Sequence, residues 1–300
     1  MQKDTLTYRR RKSIRAAAVI FLAPVIIFMA VFIIYPIMGT FEISLYRWNG
    51  IAPNRTFIAL DNWVELINDS NFWKAFQNNI IIMVCSILIQ IPLGIALATF
   101  LDASGRKANF FKVIWFLPLL MSSVAIGFLF SYALATSGGI ISTISNWFDG
   151  KNIDLLGRAP HALYAVIGAI AWQFTPFYMV YFLAGYSNIS TEIYEACIID
   201  GATRGQYFRF VALPLLSPII KTACILSLIG SLKYFDLIYV MTGGGPGTAT
   251  ELMATYMYKM SFKTFKMGYG SAVAAGMFIL VTAIALLIQR LLNTRKDVES

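Results

Sequence analysis

Apolar residues in this chain are gathered into six long runs that are separated by shorter polar segments. Each run has about 20 residues or more, which is the length that an α-helix needs to cross the hydrocarbon core of a bilayer. Prolines occur in five of the runs, but neighbouring helices can satisfy the carbonyl groups that a proline frees, so the runs still predict helices. The predicted spans are residues 16–38, 79–101, 111–134, 161–186, 213–241 and 270–290.

The pattern therefore predicts an all-α membrane protein with six transmembrane helices. A basic tail over residues 1–15 precedes a single transmembrane domain over residues 16–300. None of the spans shows a pattern that indicates a discontinuous helix.

Two segments between the spans have patterns of their own. Residues 60–79 place apolar side chains at helical spacing after Asp61, a residue type that caps helices, which predicts one or two short amphipathic helices at the membrane surface. Residues 242–250, TGGGPGTAT, contain four glycines and a proline, a composition that favours turns over a helix. This loop is either a flexible connector or a tight loop near a transport pathway or a docking partner.

Composition and charge agree with a membrane protein. The chain is 58% hydrophobic and 13% charged, whereas soluble domains are about 25% charged. With the N-terminus inside, the inner segments hold 14 Lys and Arg in 63 residues and the outer segments hold 8 in 94. Because positive charge is enriched on the cytoplasmic side, both termini are predicted to be cytoplasmic. The net charge of +9 is then explained by contact with membrane lipid rather than with nucleic acid.

The residue types that perform chemistry are scarce. The chain has one histidine and three cysteines without metal-ligand spacing, so neither a metal site nor a disulfide framework is predicted. No Ser/His/Asp set or pair of carboxylates occupies a plausible pocket, and no Gly-rich phosphate loop with Lys and Ser or Thr is present. We therefore expect no catalytic residues and no nucleotide site in this chain.

A polar stretch between the fourth and fifth spans, EIYEACIIDGATRGQYFRFVALP over residues 192–214, is the most informative part of the sequence. Ser190 or Thr191 can cap a helix over 190–200, which Gly201 then ends. A second short helix follows, and Leu213-Pro214 marks the entry to the fifth span. The residues themselves leave two interpretations open: a docking element for another protein, or an ordinary pair of interfacial helices.

This stretch resembles the EAA loop of ABC-importer permeases, whose pattern is Glu-Ala-Ala, three residues, Gly, nine residues, and Ile-x-Leu-Pro. The spacing agrees at every step, and the two departures, Cys197 for Ala and Val211 for Ile, are small apolar changes. The corresponding residues are Glu195-Ala196-Cys197, Gly201 and Val211-Ala212-Leu213-Pro214. Residues 57–84, 115–123 and 239–252 are similar to the carbohydrate-uptake branch, which includes the maltose and glycerol-phosphate permeases.

The resemblance implies a type I importer permease, with residues 16–300 as its permease domain in a bacterial or archaeal plasma membrane. Residues 190–214 would form a coupling loop that docks on an ATPase, which binds the ATP and Mg that this chain does not. The implied partners are a second homologous permease, an ATPase dimer, an extracytoplasmic solute-binding protein and a sugar. The implied docking residues are Glu195, Ala196, Asp200, Gly201 and Ala202.

The fifth span contains ionisable and hydroxyl-bearing residues, which are functional candidates inside a membrane. Lys233 and Asp236 either pair with each other or contact a ligand. Ser227, Ser231 and Tyr234 share one face of a continuous helix and suit a sugar, although serines also mediate helix packing. By resemblance to the maltose-type permease, these three residues, together with Ser123 and Gln173, match sugar-site positions. Trp172 either stacks on a sugar ring or packs in the bundle core.

The sequence thus predicts the permease subunit of an ABC importer that takes up sugars, in particular oligosaccharides. A glycerol-phosphate ester is the alternative substrate, because Lys233 could meet an anion. An ion-coupled secondary transporter using Lys233 and Asp236 is a remote alternative, and it leaves the spacing in residues 192–214 unexplained. A membrane-bound enzyme lacks a set of catalytic residues.

Overall fold

The computed structural model describes residues 19–103, 108–149 and 153–293, so the basic tail over 1–15 lies outside the described residues. The described chain is almost entirely helical, with one short antiparallel hairpin of β1 (Tyr46–Arg47) and β2 (Thr56–Phe57). In chain order, the helices are α1 (Val19–Ile43), α2 (Asp61–Asn68), α3 (Ser70–Ala103), α4 (Ala108–Leu120), α5 (Ser123–Ala133), α6 (Ile140–Asp149), α7 (Ala159–Tyr186), α8 (Thr191–Ile199), α9 (Arg204–Leu215), α10 (Ser217–Ser231), α11 (Asp236–Met241), α12 (Met253–Tyr258) and α13 (Met267–Asn293).

Four helices in the described residues are long and apolar enough to cross a membrane: α1, α3, α7 and α13. Two bent helix pairs raise the number of candidate spans to six if each pair is one span. This arrangement confirms an all-α membrane protein. Among the described residues, the chain up to Asn68 together with Lys259–Gly276 forms one compact unit, and the chain from Asp69 to Tyr258 together with the residues from Met277 onward forms another. The single domain over residues 16–300 stays a prediction.

The first unit contains α1, the hairpin, α2 and the start of α13. The most apolar stretch of α1 buries no residue, as expected of a helix that is hydrophobic all round and faces lipid. Asn62 in α2 donates two hydrogen bonds, to the Ser44 carbonyl at 2.7 Å and to the Tyr46 carbonyl at 3.0 Å. The short helix α2 therefore fixes the chain that leaves α1, while residues from Ser70 onward already belong to the long helix α3.

The second unit is built around the packing of α3 against α7. Gly94 makes this packing possible, because a Cβ at that position would lie 2.7 Å from the Tyr178 Cβ and 3.1 Å from the Tyr178 backbone. Helix α10 packs on both α3 and α7, whereas α11 packs mainly on α5 and also contacts α7. The largest fully buried core residues of this unit include Ile82, Leu101, Ile126, Ile170, Met179, Phe182, Leu216, Leu228, Leu232 and Ile238.

The third and fifth predicted spans are not straight helices. In the third, α4 and α5 meet at 93° across Met121 and Ser122. In the fifth, α9 and α10 meet at 67° at Leu216, and the helix ends again at Ser231 before α11 begins at Asp236. The expectation that no helix is discontinuous was wrong. Pro118, Pro214 and Pro218 lie near these breaks, where each proline removes a backbone donor and restricts the residue before it.

The glycine-rich loop at 242–250 forms turns, as its composition predicts, and it is firmly held. The Asn78 amide of α3 donates to the Thr248 carbonyl at 3.1 Å and to the Glu251 carbonyl at 3.0 Å. The Thr250 hydroxyl donates to the Gly245 carbonyl at 2.8 Å. These bonds from a buried side chain make the loop an ordered part of the second unit rather than a flexible connector.

Candidate functional site

The candidate coupling loop is a rigid joint between α8 and α9. Helix α8 begins after Ser190, whose hydroxyl accepts a hydrogen bond from the Glu192 amide at 3.2 Å. At its other end Gly201 has a φ of +79°. The Gly201 amide donates to the Ile198 carbonyl at 3.0 Å and the Ala202 amide donates to the Cys197 carbonyl at 2.9 Å. This pair of bonds is a Schellman motif, which requires a residue in the left-handed region and explains the glycine.

Helix α9 starts two residues after this turn with a complete capping box. The backbone amide of Gln206 donates to the Thr203 hydroxyl at 3.3 Å. The side-chain oxygen of Gln206 in turn accepts from the backbone amide of Thr203 at 2.8 Å. The rings of Tyr194 and Tyr207 then meet edge to face with their centroids 5.0 Å apart. This capping box was not predicted, although Thr-x-x-Gln is a sequence signal for a helix start.

The second short helix was predicted to end before Leu213-Pro214, and that boundary was wrong. Helix α9 continues through Leu215 by way of a π-helical turn at Phe208–Ala212. The bend comes at Leu216, which is fully buried. Helix α9 therefore connects the α8–α9 turn to the start of α10.

Helix α8 is unusually open for an amphipathic helix, because it buries none of its residues in this chain. Ile199 is 84% exposed and Ile198 is 47% exposed, while Glu195, Asp200 and Gly201 are also exposed and Ala202 is partly buried. Both apolar side chains and carboxylates are thus exposed on α8 and at its C-terminal end. Such a surface is what a protein partner covers.

A second cluster of predicted residues lies deep among α3, α5, α7 and α10. The Gln173 amide of α7 donates to the Ser123 hydroxyl of α5 at 3.0 Å. On α10, the Ser231 hydroxyl donates to the Ser227 carbonyl at 2.5 Å, and both serines are buried. The structure therefore brings Ser123 to Gln173 and Ser227 to Ser231.

Tyr234 joins this cluster even though it lies beyond the end of α10. The expectation that it shares a continuous helical face with the two serines was wrong, because the helix ends at Ser231. Its ring packs on Phe174 with centroids 5.2 Å apart. Its hydroxyl faces Ser231 and also two α3 residues, Ser86 and Gln90. Neither Ser86 nor Gln90 was predicted, although the amide of Gln90 within an apolar span is a signal in the sequence.

Three other predicted residues are placed differently. Trp172 is 40% exposed and its ring meets Phe130 edge to face at 5.6 Å. Lys233 and Asp236 are exposed, and no ion pair joins them in the described part of the chain. Lys233 and Asp236 do not lie on one helix, because residues 232–235 form the break between α10 and α11. Within the same described residues, no group of His, Cys, Asp or Glu side chains is placed to hold a metal.

Comparison with known proteins identifies the class. Residues 90–298 match the family model described as binding-protein-dependent transport system inner membrane component, and the chain belongs to this family. It is therefore a multi-pass membrane protein and a permease subunit.

Two full-length relatives have names that specify a transport system. The chain is 31% identical to the trehalose/maltose transport system permease protein MalF of Thermococcus litoralis, over 97% of each chain. It is 33% identical to the lactose transport system permease protein LacF of Rhizobium radiobacter, over 90% of this chain and 91% of that one.

A solved structure has the same fold. One chain of a bacterial ABC transporter involved in the import of the acidic polysaccharide alginate superposes with a TM-score of 0.82 at 24% identity. The superposition covers 95% of this chain and 99% of that chain. This likeness confirms the all-α permease fold.

Proposed function

We propose that this chain is the permease subunit of an ABC importer that takes up sugars, in particular oligosaccharides. The observation that carries the proposal is the joint of α8 and α9: an exposed helix, ended by a Schellman glycine and linked through a continuous helix to the core of the second unit. Membership of the binding-protein-dependent family supports the same conclusion.

The remaining parts of the importer are supplied by partners. A cytoplasmic ATPase dimer binds ATP and Mg and holds α8 in a cleft, and a second homologous permease completes the pathway. An extracytoplasmic binding protein delivers the sugar on the opposite side of the membrane. Closure of the ATPase pair moves α8 as a rigid lever, and the spans change between inward-facing and outward-facing states. Both termini lie in the cytoplasm in this arrangement, as the Lys and Arg distribution predicts.

Sugar as the substrate class rests on two supports. The relatives reported above are named as permeases of trehalose/maltose and lactose transport systems. The polar cluster of this chain also offers hydroxyl and amide groups beside the Phe174 and Tyr234 rings. Sugars present hydroxyls at their rims and apolar faces to aromatic rings, so both kinds of contact are available.

Uptake in cells tests the proposed function. A strain that lacks this chain but keeps its partners should lose uptake of one radiolabelled di- or oligosaccharide and regain it when the chain is supplied. A panel of labelled sugars, glycerol 3-phosphate and amino acids identifies the substrate. If the restored solute is not a sugar, or if no solute depends on the chain, the proposal is wrong.

Replacement of Glu195 by lysine tests the docking surface. Glu195 is exposed on α8, and reversing its charge places a like charge against any basic group of the partner, which costs several kcal/mol at an interface. We expect the ATPase to be lost from the purified complex by at least tenfold, with normal amounts of permease in the membrane. Glu65→Lys on α2, also an exposed glutamate, is the control. Full ATPase retention in Glu195→Lys would contradict a docking role for α8.

A further inference from the structure

A cavity of about 560 Å³ lies where the ends of α3 and α7 meet the α8–α9 joint. Its walls include Thr99 and Asp102 of α3 and Thr191 and Tyr194 of α8. Helix α8 buries none of its residues, so a cavity takes the place of close packing between α8 and the end of α3. The volume falls within the range of about 300–1,000 Å³ that small-molecule sites occupy. The docking role proposed for α8 does not account for this cavity.

Aromatic side chains make up much of the cavity wall: Tyr186, Tyr194, Tyr207 and Phe208. The rings of Tyr194 and Tyr207 meet edge to face with their centroids 5.0 Å apart, and the Tyr186 hydroxyl lies 2.7 Å from the Thr99 hydroxyl. These contacts hold three of the four rings in place. The face of an aromatic ring attracts a cation, and the attraction is stronger where water is excluded. The wall therefore favours a ligand with a positively charged group.

Among the described residues that line the cavity, one is negatively charged and one is positively charged, Asp102 and Arg204. The Asp102 carboxylate faces the hydroxyls of Tyr186 and Tyr207. Lys112 of α4 acts on the charge of Asp102, but no ion pair joins these two residues in the described part of the chain. An anion alone would be repelled by Asp102, and a cation alone would be repelled by Arg204. A zwitterion, which carries both charges, can place each of them beside its opposite.

The cavity lies at the level where lipid headgroups are found. Asp102 and Tyr186 are the last residues of the candidate spans Ser70–Asp102 and Ala159–Tyr186. The end of a span emerges from the hydrocarbon core into the polar headgroup region, in which tyrosine is enriched. A zwitterion that is present at this level of a bilayer is a phospholipid headgroup. A soluble zwitterion would instead have to reach the cavity from the aqueous phase.

We propose that this cavity binds the phosphoethanolamine headgroup of a phospholipid. The ammonium lies between the Asp102 carboxylate and the tyrosine rings, and the phosphate accepts charge-assisted hydrogen bonds from the Arg204 guanidinium. An ammonium has three N–H donors, for which Asp102 and the Tyr207 hydroxyl are acceptors, whereas a choline headgroup has no N–H to donate. The site therefore prefers phosphatidylethanolamine to phosphatidylcholine. This inference goes beyond the proposed function and requires neither sugar nor ATP.

A headgroup in this cavity connects four helices. It contacts α3, the end of α7, α8 and α9 at once, because all four contribute to the wall. A ligand that binds only when these helices are together stabilises that arrangement by mass action. Phosphatidylethanolamine should therefore make local opening of the α8–α9 joint less frequent, and the backbone amides of residues 190–207 should exchange hydrogen more slowly.

Lipid retention tests the site directly. The purified complex is reconstituted in vesicles of equal parts phosphatidylglycerol, phosphatidylethanolamine and phosphatidylcholine, and native mass spectrometry then measures the lipids that stay bound. We expect wild type to retain phosphatidylethanolamine over phosphatidylcholine by about tenfold, as charge-assisted hydrogen bonds to the ammonium allow. Asp102→Asn should bring this ratio close to one, since the amide keeps the shape of the carboxylate but not its charge. A structural defect alone would not change the ratio.

Two further variants separate the parts of the headgroup. Arg204→Gln should lower the retention of both phosphatidylethanolamine and phosphatidylcholine, because the two lipids share the phosphate, and should leave their ratio at the wild-type value. Glu65→Gln removes an exposed carboxylate on α2, which does not line the cavity, and should change neither the retention nor the ratio.

Hydrogen exchange tests the effect on the joint and the source of the headgroup. Residues 190–207 of wild type should exchange more slowly in vesicles of phosphatidylglycerol with an equal part of phosphatidylethanolamine than in vesicles with an equal part of phosphatidylcholine. The difference should be about tenfold, in proportion to the difference in binding, and residues 61–68 of α2 should exchange equally in both. Soluble glycerophosphoethanolamine, added to the phosphatidylcholine vesicles, should not protect residues 190–207.

The inference is overturned if wild type retains phosphatidylethanolamine and phosphatidylcholine equally, or if Asp102→Asn keeps the wild-type ratio. Protection of residues 190–207 by soluble glycerophosphoethanolamine alone contradicts a lipid as the source of the headgroup. Equal exchange of residues 190–207 in the two kinds of vesicle contradicts the effect of the headgroup on the joint.

Discussion

Replacement of Gly201 by valine is expected to reduce sugar uptake at least tenfold while the permease still reaches the membrane. Gly201 has a φ of +79° and forms the Schellman turn between α8 and α9. A residue with a Cβ pays about 1–2 kcal/mol in this left-handed conformation, and about 1.4 kcal/mol corresponds to tenfold in an equilibrium. No atom lies within 4 Å of the position that a Cβ would take, so the effect comes from the backbone alone. The measurement is ATP hydrolysis and sugar uptake in the same reconstituted complex. The amount of ATP hydrolysed per sugar taken up should rise.

Two further variants isolate the backbone as the cause. Gly201→Asn should retain most uptake, because asparagine tolerates the left-handed region better than other residues with a Cβ. Gly205→Ala is the matched control, since Gly205 lies inside α9 with an ordinary helical φ and open space around it. Equal uptake in Gly201→Val and wild type would show that the α8–α9 turn does not transmit movement.

Replacement of Gly94 by leucine is expected to abolish folded protein in the membrane. The added side chain would meet the Tyr178 Cβ at 2.7 Å and the Met179 amide nitrogen at 3.2 Å. Overpacking costs about 1–3 kcal/mol where neighbours adjust, and here the neighbours are backbone atoms of a long helix that cannot move away. Separation of α3 from α7 disrupts the core of the second unit. Western blotting of membranes and size-exclusion of the solubilised protein provide the measurement.

Gly168→Ala is the control for this prediction. Gly168 lies on α7, and a Cβ there meets nothing within 4 Å. Alanine favours a helix over glycine by about 1 kcal/mol, so this variant should accumulate at or above the wild-type level. Normal accumulation and uptake in Gly94→Leu would mean that α3 and α7 do not pack as closely as the structure shows.

Much of this fold was predictable because a membrane limits what a chain can do. A backbone within lipid must satisfy its own hydrogen bonds, so apolar runs of sufficient length become helices. Helices α3, α7 and α13 accordingly contain the predicted spans 79–101, 161–186 and 270–290. The turn between α8 and α9 was predictable for a different reason, since a left-handed turn favours glycine, and Gly201 ends α8 as expected.

The breaks in the helices were not predictable from their prolines. Pro92 and Pro176 lie inside continuous helices, whereas Pro214 and Pro218 flank a 67° bend. The residue type is the same, and the surrounding packing decides whether the freed carbonyl is satisfied within a helix or at a break. The residues next to each proline in the sequence do not show how the segment packs.

The predicted sugar-site residues are placed in two ways. Ser123 and Gln173 meet each other, as do Ser227 and Ser231, whereas Lys233 and Asp236 are exposed. Their role in sugar binding stays a prediction. Lys233 and Asp236 were predicted because ionisable residues are costly in membranes and are therefore functional candidates there. Gln90 is uncharged and stands among apolar residues in the sequence, so it was not predicted as a site residue. Its place beside the Tyr234 hydroxyl depends on how α3 packs against the chain that follows α10, which the local sequence does not show.

The central claim is that this permease is driven by ATP through a separate subunit. The most direct measurement is sugar accumulation by proteoliposomes that contain this chain, its second permease and the ATPase, with the binding protein on the opposite side from ATP. The account predicts accumulation that requires both ATP and the binding protein and that survives collapse of proton and sodium gradients. Accumulation driven by an ion gradient, without ATP or a partner subunit, would contradict it.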